Sequence, residues 1–530
     1  LANVEGAREG EAWHERLVGD ILDRGSAMTR SPRHPSLYQI NTRVWLHELG
    51  ATLGRPATLE DVDDAFFDRV AADGFDWVWL LGMWRTGEAG RRVSRTQPEW
   101  QREYRHLLPD FTTDDVCGSP FAVKEYVVSD DFGGPPALER FRKRLAARGA
   151  RLMLDFVPNH TAPDHPWVRA RPDFYVRGGE DDLAREPHNY LRVDTAAGPR
   201  VLAHGRDPYF PGWPDTLQVN YRHAGLRAAM LDVLDAIAEH CDGLRCDMAM
   251  LVLPDVIART WGDRARPADG SAPVDDPFWP VATARVRERR PDFVFMAETY
   301  WDLEWTLQQQ GFDYTYDKRL YDRLHARDAA AVRGHLHADP DYQRRSARFL
   351  ENHDEPRAAD VFPPDVHRAA AVLAFLVPGL RFFHEGQREG RRLRASNHLR
   401  RRAPEPLDAD LEAFYGRLLA CVRRREARDG DWRLLDCRPA WESNPTWDRF
   451  IAFSWEAPGR RMLVAANYGP TQGQCYVDIP WADVEGSDLI FQDLMTPAFR
   501  YSRHGADLRR RGLYLDLPAW GSHVFEVITP

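Results

Sequence analysis

Lysine is almost missing from this 530-residue chain: of 71 basic side chains only Lys124, Lys143 and Lys318 are not arginine. The imbalance reads as the codon bias of a G- and C-rich genome. Positive charge is not in excess either, with 71 basic against 81 acidic residues and a net charge of −10. That argues against a nucleic-acid partner held through its phosphates. Long apolar runs are absent: none approaches the ~18 residues of a membrane span, so no membrane partner is expected. Cysteine is sparse. The six thiols are scattered without a CxxC or zinc spacing, and read as buried groups in a reducing compartment. Repeats and low-complexity tracts are lacking, and the arginine clusters at 400–402, 423–425 and 509–511 read as solvated faces. Residues 1–36 are charged with no contiguous apolar core, so no signal peptide is expected and a cytoplasmic location is. The first residue, Leu1, is not Met, which suits removal of an upstream segment.

What the chain does have is aromatic rings, with 18 Trp, 17 Tyr and 25 Phe. They imply a large core, or a sugar site in which ring faces stack. The apolar pattern alternates between strands and helices. After a helical leader at 11–24, β-rich stretches are expected at 36–46, 75–81, 151–157, 243–247, 293–298, 312–316, 347–351 and 380–384. Helices are expected near 136–148, 224–240, 277–289, 303–310, 328–336 and 367–376, with one more opened by a capping box at Thr58 and Asp61 and ending near Gly74. Eight short apolar strands, each followed by a helix, predict an α/β (β/α)8 TIM barrel. About 65 residues after the third strand are too many for a loop. The expected domains are therefore a leader (1–35), a barrel (36–160 and 222–428), an irregular insertion (161–221) and a C-terminal antiparallel β-sandwich (429–530).

Functional groups of such a barrel sit at the C-terminal ends of its strands. Those ends supply Asp155, Asn159 and His160 (third strand), Arg245 and Asp247 (fourth), Glu298 (fifth), and His353 and Asp354 (seventh). A mouth with several carboxylates, two histidines and an arginine suits glycoside hydrolysis. One carboxylate attacks the sugar while another, kept protonated, donates to the leaving oxygen. Arg245 lies two residues before Asp247 on the same strand and can keep it ionised. Glu298 ends an apolar strand whose desolvation raises its pKa. Asn159, His160 and His165 suggest a metal site, but no HxxxH or HExxH helix supports it.

The stretches DFVPNH (155–160), GLRCDMAM (243–250), MAETYW (296–301) and FLENHD (349–354) resemble the four motifs of the α-amylase superfamily, glycoside hydrolase family 13. GSPFAVKEY (118–126) and VPGLRFFHEGQ (377–387) resemble further family stretches. The resemblance implies Asp247 as nucleophile, Glu298 as general acid/base and Asp354 as transition-state stabiliser. It implies that Asp155, His160, Arg245, His353 and Phe121 line the first sugar subsite, and that Arg357 holds the terminal sugar. Tyr300, Trp301 and Trp213 are candidates for stacking on the substrate, with Tyr209 and Phe210 as cleft walls. Trp305 is either a stacking residue or helix core. No cofactor is required by the chemistry. Asn159 stands where calcium-dependent members have a ligand, so a structural calcium ion is allowed for.

Two departures bear on substrate. Met250 and Leu251 replace the Lys-His pair of many endo-acting α-amylases, and Ala122 replaces an aspartate that grips the non-reducing end in exo-acting relatives. The expectation is a retaining hydrolase of small α-glucans or α-glucosides, with glucosyl transfer or sugar isomerisation as the alternative.

Overall fold

The computed structural model describes residues 31–529, so the leader helix expected at 11–24 lies outside the described residues. Eight parallel strands close into a barrel: β1 (Ser36–Asn41), β2 (Trp77–Leu81), β3 (Arg151–Phe156), β4 (Gly243–Cys246), β5 (Val294–Ala297), β6 (Tyr314–Tyr316), β7 (Ser346–Arg348) and β8 (Leu380–His384). They follow one another around the barrel in chain order, and β8 returns to β1 with Leu37 opposite Phe382. The strands lack polar alternation because both faces are covered, one by the barrel interior and one by helices. In β2 all five residues, WVWLL, are buried.

Three local expectations are corrected. The stretch 36–46 is not one strand: Asn41 ends it by accepting a hydrogen bond from the Val44 N–H, which caps the helix Thr42–Leu53. The Thr58/Asp61 capping box is present but closes only the single turn Leu59–Asp61. Val62 is then extended, and Asp63 caps the helix Asp64–Asp73 that ends at Gly74. The connection at 405–428, whose sequence reads as a single helix joining barrel to sandwich, is two helices, Ala409–Val422 and Arg425–Asp429.

Between β2 and β3 the chain also forms a small antiparallel hairpin, Trp84–Thr86 with Val123–Val128, enclosing helices Glu88–Thr96 and Pro98–Leu107. Beyond β3 an irregular segment holds short helices, the hairpin Tyr190–Thr195 with Gly198–Ala203, and a closing pair in which His160 lies opposite Gln218. That pair brings both ends of the segment back to the barrel mouth.

The C-terminal part packs a six-stranded and a three-stranded antiparallel sheet around a core that includes Phe450, Leu463, Phe491 and Phe525. Strand Leu513–Leu517 alternates buried and exposed, as a sandwich strand should. The central pair, Phe450–Ala457 and Arg460–Asn467, is instead buried along most of its length. Its second face packs on the barrel, where Trp455 Nε1 donates to the Leu376 carbonyl at 2.7 Å.

Gly379 turns the chain into β8 with φ +124°, and a Cβ there would lie 2.2 Å from the Ser346 carbonyl oxygen. The Gly379→Ala variant is expected to lose ~2 kcal/mol or more of stability. Chemical denaturation checks this, and an unchanged midpoint would contradict it.

Candidate active site

The site is organised from the barrel interior outward. Arg245 on β4 is fully buried. Its Nη1 donates to Asp247 Oδ1 at 2.6 Å, its Nη2 lies 2.6 Å from Glu298 Oε2, and its Nε donates to the Tyr316 hydroxyl at 3.3 Å. Three rings surround the guanidinium, with centroids 5.2 Å (Phe121), 5.4 Å (Trp79) and 5.8 Å (Tyr316) from Cζ. Of the two carboxyl contacts, only that to Asp247 is aligned as a hydrogen bond; the approach to Glu298 is a charge contact. Arg245 therefore favours the ionised form of Asp247 over that of Glu298.

Burial pushes Asp247 upward, Arg245 opposes this through charge and hydrogen bonding, and Asp354 and Asp155 add to the rise. Burial also pushes Glu298 up, to about 7, against Arg245 and with help from the negative charges of Asp247 and Asp354. Glu298 Oε2 accepts from the Met248 N–H at 2.7 Å, and Oε1 accepts from the Tyr300 hydroxyl at 3.0 Å. Met248, immediately after Asp247, adopts φ +42°, and its N–H points at Glu298.

Asp354, after β7, has a side chain 41% exposed. Burial works against its ionisation, but His353, Arg245 and Arg394 outweigh it and hold the carboxyl down at about 2. His353 Nε2 lies 3.0 Å from Asp354 Oδ2, while its Nδ1 is 2.7 Å from Gln39 Nε2. With Gln39 donating to Nδ1, the histidine carries its proton on Nε2, toward the carboxylate. Asn397 Nδ2 donates to Asp354 Oδ1 at 3.3 Å, and Arg394 donates to the Asp354 carbonyl at 3.1 Å.

The other expected residues divide. His160 is buried, with its ring 5.2 Å from that of Trp213, and burial lowers its pKa to about 3, so it acts as a neutral hydrogen-bonding group. Tyr209 and Phe210 are 59% and 67% exposed. Both of their N–H groups donate to Asp207 Oδ1, a turn that presents the two rings together. Tyr209 meets Trp301 edge-on at 5.0 Å, so the insertion and the loop after β5 share one aromatic wall.

Asp155 is corrected from a sugar-binding to a positioning residue. Its Oδ1 accepts from Trp79 Nε1 at 3.1 Å and its Oδ2 from the Gly82 N–H at 2.7 Å, which locks β3 to the end of β2. Arg357 is not brought to the site. It is 1% exposed, and its Nη1 donates to Glu351 Oε1 and the Glu385 carbonyl. Trp305 is neither helix core nor part of this mouth; it is 45% exposed on a separate groove. Met250 and Leu251 are buried in the core.

Sequence reasoning missed Gln39, Tyr316, Trp79, Arg394 and Asn397. Gln39 carried a usable signal, a lone amide inside the strand SLYQIN. Arg394 and Asn397 come from an irregular segment that carried none.

Asn159 is tied to the insertion by Gln218. Its Oδ1 and its main-chain oxygen both accept from Gln218 Nε2 at 2.9 Å. Among the described residues, one group of three His, Cys, Asp or Glu donors lies within metal reach, and it is Asp173, His223 and Asp269. There His223 Nδ1 accepts from the Leu226 N–H, which leaves the proton on Nε2, 3.3 Å from Asp173 and 3.1 Å from Asp269. A metal on Nε2 would move that proton onto Nδ1, against a donor. The group is a hydrogen-bonded staple.

A closed parallel barrel with these three carboxylates around one arginine is the architecture of a barrel glycosidase, and the comparisons agree. The family model for the α-amylase catalytic domain matches residues 121–395. The chain belongs to the α-amylase superfamily, glycoside hydrolase family 13. It is similar to an α-amylase, MalA, of Haloarcula japonica, at 26% identity over 69% of this chain and 49% of that protein. It is also similar to a palatinase of Erwinia rhapontici, at 26% identity over 45% of this chain and 47% of that one. The chain thus spans about half the length of these curated relatives. Among solved structures, a maltogenic α-amylase, AmyB, of Thermotoga neapolitana shares the fold, with a TM-score of 0.65 and 17% identity, covering 94% of this chain and 99% of that one.

The Glu298 carboxyl, read as the difference between wild type and Glu298→Gln in a 13C NMR titration, is expected to titrate near pH 7. In Tyr300→Phe it should titrate higher, by on the order of one unit, because a hydroxyl donor favours the ionised form. A downward shift would contradict this placement of the hydroxyl.

Proposed function

We propose that the protein is a retaining α-glycoside hydrolase acting on α-glucosidic bonds of small α-glucans or α-glucosides. One observation carries the reading: the buried Arg245 holds Asp247 on one nitrogen and Glu298 on the other, with Asp354 beside them at the mouth. Two carboxyl groups bridged by a single guanidinium stay close, as a retaining pair at about 5–5.5 Å requires. Asp247, ionised by its aligned bond to Arg245, attacks the anomeric carbon. Glu298, protonated, gives its proton to the departing glycosidic oxygen. The glycosyl ester on Asp247 is then displaced by water, whose proton returns to Glu298, and two inversions give net retention. Asp354, carrying negative charge, binds sugar hydroxyls and opposes the oxocarbenium charge.

The names of the relatives, which include an α-glucosidase of Culex pipiens and a maltase of Drosophila virilis, support an α-glucosidic substrate. Small substrates are favoured because Met250 and Leu251 lie in the core and offer the cleft no polar pair. The proposal involves no cofactor. A cytoplasmic location is part of it and rests on six free thiols; no helix among the described residues is long and apolar enough to cross a membrane. The aromatic wall of Tyr209 and Trp301 favours a second reading, in which a bound sugar replaces water as acceptor.

Asp247→Asn is expected to lose about 10³-fold or more in kcat on a hydrolysed α-glucoside, with the fold retained. Unchanged turnover would sink the mechanism. In the wild type, kcat/KM should fall as pH rises through about 7, because Glu298 must carry a proton and its carboxyl titrates there. A flat profile up to pH 9 would exclude Glu298 as the acid.

A further inference from the structure

Outside the catalytic mouth, a groove of about 630 Å³ opens among the helices Glu304–Gln309, Lys318–His325, Ala329–Leu336 and Pro340–Arg344. Its volume falls within the ~300–1,000 Å³ of ligand sites. Trp305 and Tyr342 supply flat ring surface, and Asp302, Arg319, Arg323 and Asp339 supply polar groups. Trp305 is 45% exposed although it lies in the first turn of a helix that packs on the barrel. We propose that this groove is a second sugar-binding site, which holds a neutral α-glucan segment distal to the cleavage point. The proposal rests on the α-glucan reading above.

Three observations support the ligand class. First, the lining charges balance, two arginines against two carboxylates, and Arg319 pairs with Asp302. His335 beside them is held neutral, its pKa lowered to about 4 chiefly by burial. Nothing in the groove calls for an ionic ligand. Second, the polar groups are donors and acceptors set around an exposed indole. The apolar face of a sugar ring fits the indole while its hydroxyls meet guanidinium forks and carboxylate oxygens.

Third, three consecutive residues of one loop reach from the cleft to the groove. Tyr300 bonds the acid Glu298, Trp301 packs on Tyr209 over the mouth, and Asp302 pairs with Arg319 in the groove. Trp301 and Asp302 both adopt left-handed backbone, at φ +64° and +63°. That conformation is strained for side-chain-bearing residues. It turns the chain so that consecutive side chains serve the two sites.

The test uses the full chain. Asp247→Asn, which binds without cleaving, is compared with Asp247→Asn/Trp305→Ala by calorimetry on maltose and maltoheptaose. The expected result is about tenfold weaker maltoheptaose binding in the double variant, with the loss confined to the long ligand and largely recovered in Asp247→Asn/Trp305→Phe. Equal maltoheptaose affinities in the first two proteins overturn the second site, as does a loss that is the same for maltose. Wild-type turnover of maltose and maltoheptaose, measured separately, tests the α-glucan reading itself, so the two failures are distinguishable.

Discussion

Everything chemical in this molecule depends on one buried cation. A guanidinium with no solvent exposure would cost several kcal/mol to desolvate if left alone. Arg245 is offset by two carboxylates, a hydroxyl and three ring faces. The pairing is unequal, and the inequality is what the site uses. The carboxylate with the aligned bond has the stronger support for its charged form, while burial pushes the one in looser contact up to about 7. A salt bridge of this kind is a weak source of stability. Here its value is that it favours the charged form of one acidic group more than that of the other.

The scaffold serves that arrangement at one remove. Asp155 ties β2 to β3 beside the arginine, in register with it across the β3–β4 pair. Gln39 on β1 bonds Nδ1 of His353, which with Arg245 and Arg394 favours the charged form of Asp354. Residues of β1 to β4 thus surround the three carboxyl groups with buried polar contacts. Gln39, Trp79 and Arg245 each sit on a strand, where the backbone is held by two neighbours.

Much of this was legible in the sequence. The eight strands showed themselves as apolar runs, because a sheet covered on both faces leaves a continuous hydrophobic trace. Asp247, Glu298, Asp354 and Arg245 could be picked out because they end such runs, where a charge has no structural excuse. Arg357 misled for a different reason: its role was carried over from the family by position, and only packing shows that Glu351 has claimed it. Arg394 and Asn397 reach Asp354 from a loop some forty residues downstream, and no periodicity encodes where a loop of that kind will fold. The Thr58 box was read correctly as a cap but assigned to the wrong helix, since one extended residue, Val62, is invisible to a spacing rule.

The two-faced strands at the centre of the sandwich have a wider meaning. Their second buried face, with Trp455 donating to the Leu376 carbonyl, gives the barrel a share of its core that the barrel segment does not encode. The C-terminal domain is therefore not an exchangeable accessory. Grafting it onto another barrel, or trading it for a sandwich of different origin, would leave a helix carbonyl without its donor and an apolar helix face in water. Recombination between relatives would be tolerated at the solvent-facing outer strands and resisted along this seam.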